Sequence, residues 1–391
     1  MNRHAQATAY LHERMTQWRH DFHAHPELGC EEHRTAATIA ELLRGLDIEV
    51  HTGVGGTGVV GILKRGHGSR SIALRSDMDA LAIVEENSFD YRSKSTGKMH
   101  ACGHDGHMAM LLGAAQHLSN KGNFDGIVYF IFQPAEEPGY GAKSMLADGL
   151  FKRFPADAVY GLHNMPSLPL GTLAIRPGPV MACEDHFEII ISGKGTHAAL
   201  PHLGIDPILV GAEIVSALQS VVSRVLNPVD NAVISVTEFI ADGTTNVLPT
   251  TVTLKGDTRS FTPAVQQQIE ITMGRIVHGI CAAHGAGCNF TYSNEFISTI
   301  NTRTEAAIAE EVARHLVGEE RLILDCPPFM ASEDFGEMLQ IKPGCFLFIG
   351  NGTEDPESAG LHNPRYNFHD DNLTTGADFW VQLVESQLSA S

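Results

Sequence analysis

Apolar residues recur at helical spacing near the start of the chain and then give way to short β-rich runs. Ala36, Ile39 and Leu43 lie on one face of a helix predicted over residues 31–46, and an earlier helix is predicted over residues 5–20. The following runs have the β-branched content of strands: IEVHT, GVVGILK and SIALRSD.

Beyond these runs, long helical patterns alternate with buried strands. The sequence predicts a helix at 105–120, a strand at 126–133, a helix at 141–149 and a strand at 158–164. The alternation resumes after about residue 300 with a helix, the strand GCFLFIGNG and a final helix. This order predicts an α/β fold with a mostly parallel sheet that is covered by helices.

Residues 186–296 follow a different order, β-α-β-β-α-β, which is the arrangement of a ferredoxin-like α+β domain. This pattern is complete in itself and interrupts the α/β pattern. We therefore predict that residues 185–298 form an inserted domain. Residues 1–184 and 299–391 then form the two segments of the main domain. Two domains in a chain of 391 residues agree with roughly 100–200 residues per domain on average.

Composition and charge narrow the possible functions. The chain has 391 residues with 27 basic and 46 acidic side chains, a formal net charge of −19, which argues against nucleic acid and anionic membranes as partners. Seven scattered cysteines do not form a disulfide framework, and we expect neither a signal peptide nor an apolar run of membrane-spanning length. These observations predict a cytoplasmic protein.

The stretch Gly53–Gly58 matches the dinucleotide-binding pattern G-x-G-x-x-G. That interpretation requires a helix directly after the glycines, so that its N-terminus can bind a pyrophosphate. A β-branched run, VVGIL, follows instead. We therefore predict a glycine-rich hairpin between two strands.

The chemistry of the chain is concentrated in the segment Met99–His107, MHACGHDGH. Its histidines and its cysteine are ligand types that zinc and similar metals prefer. The segment follows the strand-rich region and precedes a helix, so it lies where open α/β sheets bind ligands. The alternative is a capped helix start with one buried cysteine.

Three further groups of polar residues follow apolar strands or lie in loops. Glu136 and Glu137 end one strand, His163 ends another, and His362 lies in a loop rich in Pro, Gly and Asp. Taken alone, the glutamate pair also fits a solvated acidic turn, and each histidine also fits a structural role. Together with Cys102 and its neighbours they exceed the three or four ligands of one zinc site, which suggests two metal ions about 3.5–4 Å apart.

With these motifs the sequence resembles a known family, the M20 metallopeptidases, and in particular their amidohydrolase branch. The resemblance covers essentially the whole chain through motifs in matching order: HAHPELGCEEHRTA, LRSDMDAL, MHACGHDGH, FQPAEEPGYGA, GKGTHAALPHLGIDP, TTNVLPTTVTLKGDTRSF, SEDFG and LHNPRYNFHDD. It implies a catalytic α/β domain that holds two divalent metal ions, with an inserted domain that mediates dimerisation or acts as a lid. This is the domain organisation predicted above.

The resemblance also implies a role for individual residues. Glu136 is the implied general base, and His197 is implied to stabilise the oxyanion, in cis or from a partner subunit. Asn246 and Arg259 match positions that hold the carboxylate of the substrate, and Asp77 and Asp79 match an acidic pair that orients ligands. The implied metal ligands are Cys102, the expected bridge, and His104, Glu137, His163 and His362.

The implied activity is hydrolysis of the amide of an N-acyl amino acid such as hippurate, by a homodimer or a higher homo-oligomer. The thiolate and imidazole ligands favour zinc or cobalt, and the resemblance also allows manganese or nickel. Alternatives are an M20-type dipeptidase or carboxypeptidase, an N-acetyl-diaminopimelate deacetylase, and a non-catalytic metal-binding protein. Three histidines near the N-terminus, His20, His23 and His25, are expected at the surface or at a helix end.

Overall fold

The computed structural model describes residues 8–324, 326–352 and 359–390. The strands, in chain order, are β1 (Glu49–Val54), β2 (Gly58–Arg65), β3 (Ser71–Asp77), β4 (Gly126–Gln133), β5 (Ala158–Pro169), β6 (Leu173–Ile175), β7 (Gly178–Met181), β8 (Cys183–Ser192), β9 (Thr196–His197), β10 (Ala232–Ala241), β11 (Val247–Leu248), β12 (Thr251–Ser260), β13 (Gly287–Phe296), β14 (Thr299–Asn301), β15 (Leu322–Leu324) and β16 (Gly344–Gly352).

The α-helices lie between these strands and at both ends of the chain. In chain order they are α1 (His12–Ala24), α2 (His33–Arg44), α3 (His104–Lys121), α4 (Gly141–Ala147), α5 (Leu150–Arg153), α6 (Pro207–Ser220), α7 (Pro263–His284), α8 (Arg303–Val317), α9 (Gly336–Leu339) and α10 (Asn372–Gln387). The first helix was predicted over residues 5–20 and is observed later in the chain, as α1 (His12–Ala24). Residues 5–7 of the prediction lie outside the described residues.

The chain divides into two compact units. The first comprises residues 1–178, 300–327 and 334–391, and the second comprises residues 179–299 and 328–333. The first division lies six residues before the predicted one, and a short segment near residue 330 that was predicted in the main domain belongs to the second unit. The catalytic role and the dimerisation or lid role of these segments stay predictions.

The first unit contains an eight-stranded sheet in the order β1-β2-β4-β3-β5-β16-β6-β15. Its central strands β4, β3, β5 and β16 are parallel, while β1–β2, β2–β4 and β16–β6 are antiparallel pairs. Helices α2, α3, α8 and α10 pack on the strands, and their apolar side chains form one core. The predicted α/β class is confirmed, as is the hairpin that joins β1 to β2.

The second unit contains a four-stranded sheet in the order β10-β12-β8-β13. All its neighbouring strands are antiparallel. Helices α6 and α7 pack on this sheet and on each other. The order matches the ferredoxin-like prediction, because the first strand of the unit lies between the third and the fourth. A small separate ladder pairs β9 with β11.

Helix α6 and the π-helical turn after it form an apolar stretch, Pro207–Val225. Its 19 residues are long and apolar enough to cross a membrane by length and composition alone, contrary to the expectation from sequence. Val210, Ile214 and Leu218 on one face belong to the core of the second unit. Only 28% of the apolar window is buried, so the opposite face is exposed.

Candidate metal centre

The predicted site residues of the first unit meet at the carboxyl ends of its parallel strands. Asp77, the last residue of β3, pairs with Gln133, the last residue of β4. On the other side, Arg75 pairs with Gly161 of β5, so His163 lies level with Asp77. The sheet thereby brings three separate sequence motifs to one edge, where α/β sheets bind ligands.

A tight loop delivers Cys102 and His104 to this edge. Gly103 between them has a φ of +97°, and a Cβ at this position would collide with the side chains of Asn164 and Tyr366. The loop therefore requires glycine, both for its backbone conformation and for the close approach of these two side chains. His104 then begins α3, whose residues from His104 to Leu118 are all buried.

The orientation of His104 is set by Asp79. His104 Nδ1 lies 2.8 Å from the backbone oxygen of Asp79 and 3.3 Å from its carboxylate, which leaves Nε2 directed into the site. The same carboxylate accepts a hydrogen bond of 3.0 Å from the backbone N–H of Glu137. Asp79 thus fixes two candidate ligands at once, as residues behind metal ligands commonly do.

Glu137 lies at the centre of the cluster. Its Oε1 is 3.8 Å from His104 Nε2, and its Oε2 is 3.5 Å from His362 Nε2. Ala135, just before the glutamate pair, and His362 itself have positive φ angles of 49° and 62°. Such left-handed conformations cost about 1–3 kcal/mol for residues other than glycine, and they are enriched at functional sites.

Cys102 and His163 complete the cluster. Cys102 Sγ lies 3.4 Å from His163 Nε2, while His163 Nδ1 lies 2.7 Å from the backbone oxygen of Asn164. Burial, reinforced by the charges of Glu137 and Glu136, raises the pKa of the Cys102 thiol well above its ordinary value. A metal cation is therefore needed to hold this sulfur as a thiolate.

The nearby His107 has the right chemistry for a ligand, but both its nitrogens are engaged. Its Nδ1 lies 2.7 Å from Asp77 Oδ1, and its Nε2 accepts a 3.0 Å hydrogen bond from the backbone N–H of Asn164. Asp77 was predicted to orient metal ligands. It lies at hydrogen-bonding distance from His107, which is not a predicted ligand. Its carboxylate is 3.7 Å from His104 Nε2.

The donor set fits divalent cations. Ligand atoms of Cys102, His104 and Glu137 all lie within 4.8 Å of one another. Among the described residues, His104 Nε2 and Glu137 Oε1 are buried polar atoms without a hydrogen-bond partner. Burial lowers the pKa of His104, but Asp77, Asp79 and Glu137 outweigh it and raise that pKa to about 10. The site therefore favours positive charge, which a metal ion supplies.

Sequence reasoning missed a buried network behind the site. The guanidinium of Arg75 donates to Asp77 at 2.8 Å, to Gln133 at 2.9 Å and to Asp334 at 3.2 Å. Asp334 also accepts from the backbone N–H of Ala142 at 2.9 Å. A polar glutamine at the end of the apolar strand β4 was the available signal. The network connects the SEDFG motif to the strand ends that carry the site.

His23 lies in the last turn of α1, at a helix end as expected, but the expectation of a surface position is wrong for it. His23 has no exposed surface, and its ring lies 2.8 Å from Asp105 and 3.1 Å from Glu85. Asp105 also pairs with the buried Arg19 at 3.2 Å. These contacts hold α1 against the start of α3. A helical pattern cannot reveal them, because each partner comes from a distant part of the chain.

The second unit contains the other predicted residues. Ladder β9–β11 pairs His197 with Val247, and the backbone N–H of Ala198 donates to Asn246 at 3.0 Å, so His197 and Asn246 are neighbours. The N–H of Ala199 donates to His197 Nδ1 at 3.1 Å, which places the proton of the neutral ring on the exposed Nε2.

Arg259 is also in the second unit, but it already has carboxylate partners. It contacts Glu184 at 2.8 Å and Asp257 at 2.7 Å, and its side chain is 21% exposed. A substrate carboxylate would therefore have to replace at least one of these partners.

Residues 73–386 match the family described as Peptidase family M20/M25/M40. The chain is 38% identical to the hippurate hydrolase of Campylobacter jejuni over 366 residues, 94% of each chain. It is 37% identical to thermostable carboxypeptidase 1 of Saccharolobus solfataricus, over 92% of each chain. A solved Bacillus subtilis protein, described as a dinuclear metal-binding peptidase of family M20, superposes with a TM-score of 0.85 at 33% identity and covers 98% of this chain and 100% of its own.

The fold, the cluster of candidate metal ligands and these similarities together indicate a metal-dependent hydrolase. The chain belongs to the M20/M25/M40 peptidase family, and it is a metal-dependent amidohydrolase of that family.

Proposed function

We propose that this enzyme hydrolyses the amide bond of N-acyl amino acids that carry a free α-carboxylate, with hippurate-like compounds as the preferred class. The observation that carries the proposal is the largely buried cluster Cys102–His104–Glu137, together with a second, buried glutamate, Glu136, which precedes Glu137 in the sequence. Metal binding alone does not require that additional carboxylate, whereas hydrolysis requires a group that moves protons.

Five side chains are proposed to hold two divalent ions: Cys102 as the shared ligand, with His104, Glu137, His163 and His362. The short distances within this set support the assignment. Bound divalent ions would supply Lewis acidity, which polarises the scissile carbonyl and makes water acidic near neutral pH. Thiolate and imidazole ligands favour zinc or cobalt, with manganese and nickel as alternatives.

Glu136 is proposed as the general base. It lies next to the ligand Glu137 in the sequence and is only 6% exposed, so its carboxylate is largely shielded from bulk water. Glu136 takes a proton from the attacking water and delivers it to the departing nitrogen, as general acid–base catalysis requires. Adjacent residues in a tight turn direct their side chains differently, which allows one to ligate and the other to transfer protons.

His197 is proposed to donate a hydrogen bond from Nε2 to the developing oxyanion. The tautomer favoured by its contact with Ala199 supports this role. Asn246 and Arg259 are proposed to bind the α-carboxylate, for which the planar guanidinium is well suited. Arg259 would then exchange one of its present carboxylate partners, Glu184 or Asp257, for the substrate.

The substrate class is tested by a screen of the metal-reconstituted enzyme. We expect hydrolysis of hippurate and of N-acetyl and indole-acetyl amino acids, and little hydrolysis of dipeptides with a free amino group. The similarity to a carboxypeptidase supports one alternative, a peptidase that removes C-terminal residues. Faster cleavage of free dipeptides than of N-acyl amino acids would favour that alternative.

A homodimer is proposed to form through the second unit. Leu209 on α6 and Phe239 and Ile240 on β10 are 58%, 43% and 50% exposed, and α6 closely approaches the Phe239 ring at Gly211. Strand β10 is also an edge of its sheet, so its free backbone groups can pair with a second copy. Light scattering should show a dimer that Ile240→Lys converts to monomer. A wild-type monomer at micromolar concentration would contradict the proposal.

A cytoplasmic location completes the proposal. It is supported by the seven cysteines, which are all free and mostly buried. Cell fractionation with an antibody against the chain would test it.

A further inference from the structure

The turn that presents Glu136 and Glu137 is held in an unfavourable backbone conformation. Ala135, directly before them, has a φ of +49°. Residues other than glycine keep this conformation only where surrounding contacts enforce it. The contacts that enforce it here therefore determine where the two glutamates lie.

Hydrogen bonds to both the backbone N–H and the backbone carbonyl oxygen hold Ala135 in place. Its backbone N–H donates to Glu32 Oε1 at 2.8 Å. Its carbonyl oxygen accepts from the N–H groups of Gly141 and Tyr140, at 2.9 and 3.2 Å. The bonds to the carbonyl are local, within one turn. The bond to Glu32 comes from a residue about a hundred positions earlier in the chain and is made by a side chain.

Glu32 is committed to this turn. It has no exposed surface, and its second oxygen, Oε2, accepts a 2.6 Å hydrogen bond from the hydroxyl of Thr57. Glu32 precedes helix α2 in the N-cap position, yet its side chain makes no capping bond to that helix. Helix capping therefore does not explain the carboxylate, whereas the Ala135 turn does.

This arrangement also gives a role to two sequence segments that contain no predicted ligand. Glu32 belongs to the motif HAHPELGCEEHRTA, and Thr57 lies in the glycine-rich hairpin Gly53–Gly58 between β1 and β2. The hairpin brings Thr57 to Glu32, and Glu32 in turn reaches the turn after β4.

We propose that Glu32 is a positioning residue for hydrolysis: its carboxylate, held by Thr57, fixes the Ala135 amide and thereby directs Glu136 and Glu137 toward the ligand cluster. This inference rests on the proposed function for its kinetic consequence but not for its effect on metal binding. A misplacement of about 1 Å can reduce turnover by about 100-fold. We therefore expect Glu32→Ala to lower kcat by about 10–100-fold while KM changes little.

The test compares Glu32→Ala with Glu32→Gln, which keeps an oxygen to accept the Ala135 N–H. We expect Glu32→Ala to weaken Zn²⁺ affinity at least about tenfold, measured by competition with a chromophoric chelator, because Glu137 is displaced. Glu32→Gln should stay within about threefold of the wild type in both kcat and Zn²⁺ affinity. If Glu32 had a purely structural role, Glu32→Ala would lower thermal stability but leave kcat and Zn²⁺ affinity close to the wild-type values, so Glu32→Gln would have no loss of either to restore.

Asp125→Ala is the matched control. The Asp125 carboxylate also accepts two backbone N–H groups, from His67 and Gly68 at 2.6 Å each, but it lies at the opposite end of β4, about 25 Å along the strand from the site. This variant should lose stability without losing Zn²⁺ affinity. If Glu32→Ala does not fold, Thr57→Val replaces it, with an expected loss of about threefold or more in kcat.

Kinetic and Zn²⁺-binding constants within twofold of the wild type for a folded Glu32→Ala protein, or for Thr57→Val in its place, would overturn the inference. Equal losses in Glu32→Ala and Glu32→Gln would overturn it too. If the wild type hydrolyses no N-acyl amino acid, the proposed function fails, while Zn²⁺ affinity still tests Glu32.

Discussion

Replacing Asn164 by alanine should destabilise the loop that carries Cys102. The Asn164 side chain is fully buried; its Nδ2 donates to the Cys102 backbone oxygen at 2.6 Å, and its Oδ1 accepts from the Tyr366 hydroxyl at 2.6 Å. His107 keeps the backbone N–H of Asn164 as a donor, so its Nε2 is not orphaned. The substitution therefore leaves two buried groups without these partners, the Cys102 carbonyl and the Tyr366 hydroxyl.

A buried polar group that loses its partner costs about 1–3 kcal/mol, so Asn164→Ala should lower the free energy of unfolding by about 2–6 kcal/mol. Tyr366→Phe leaves the Asn164 oxygen without its donor, while Asn351 Nδ2, 3.4 Å from the hydroxyl, keeps the Asn367 backbone oxygen as an acceptor. This substitution should cost about half as much. Denaturant unfolding of the metal-free proteins measures both values, and chelator competition measures the accompanying loss of Zn²⁺ affinity. An Asn164→Ala protein within 0.5 kcal/mol of the wild type, on the order of an ordinary surface substitution, would refute this reasoning.

Three further predictions concern the reaction and the metals. Glu136→Gln should retain metal but lower kcat by about 10²–10⁴-fold or more, measured beside metal analysis, and near wild-type turnover would exclude the role of base. Cys102→Ser should lose at least one metal ion per chain and its activity, whereas Cys281→Ser stays active; full metal occupancy of Cys102→Ser would show that the thiolate is no ligand. Zn²⁺ affinity should fall as the pH is lowered, because binding must displace one proton each from Cys102 and His104, whose pKa values are raised. Two displaced protons correspond to a loss of about 100-fold for each pH unit between pH 8.5 and pH 7. The affinity should fall more steeply below the Glu137 pKa, which burial raises to about 7, and pH-independent affinity between pH 6 and 8.5 would contradict these assignments.

The parts of the fold that follow from local pattern could be predicted from the sequence. Strand β4 and helix α3 agree with their predicted bounds to within a residue, because β4 is an almost unbroken apolar segment and α3 has the long apolar centre MAMLLGAA. The location of Glu137 and His163 at the same edge of the sheet was also predictable. Carboxyl ends of parallel strands share one edge of a sheet, and both residues follow apolar strands.

Residues whose role depends on distant partners could not be predicted in this way. Glu32, Arg75 and His23 all lie in segments whose own pattern indicates a helix or a strand, and each makes its decisive contacts more than fifty residues away. A buried charge is costly unless it is paired, so its location reveals its importance only when the fold supplies the partner. The left-handed backbone of Ala135 gave no sequence signal either, since glycine is the residue expected there.

The central claim is that the enzyme recognises an amide through the free carboxylate of an N-acyl amino acid. The most direct test compares kcat/KM for hippurate, hippurate methyl ester and benzamide with the same metal-loaded enzyme. We expect hippurate to be favoured by about 100-fold or more, because an uncharged substrate cannot replace Glu184 or Asp257 as a carboxylate partner of Arg259 and so forms no charge-assisted bond with it. Equal values for the three compounds would contradict the assignment of N-acyl amino acids as substrates.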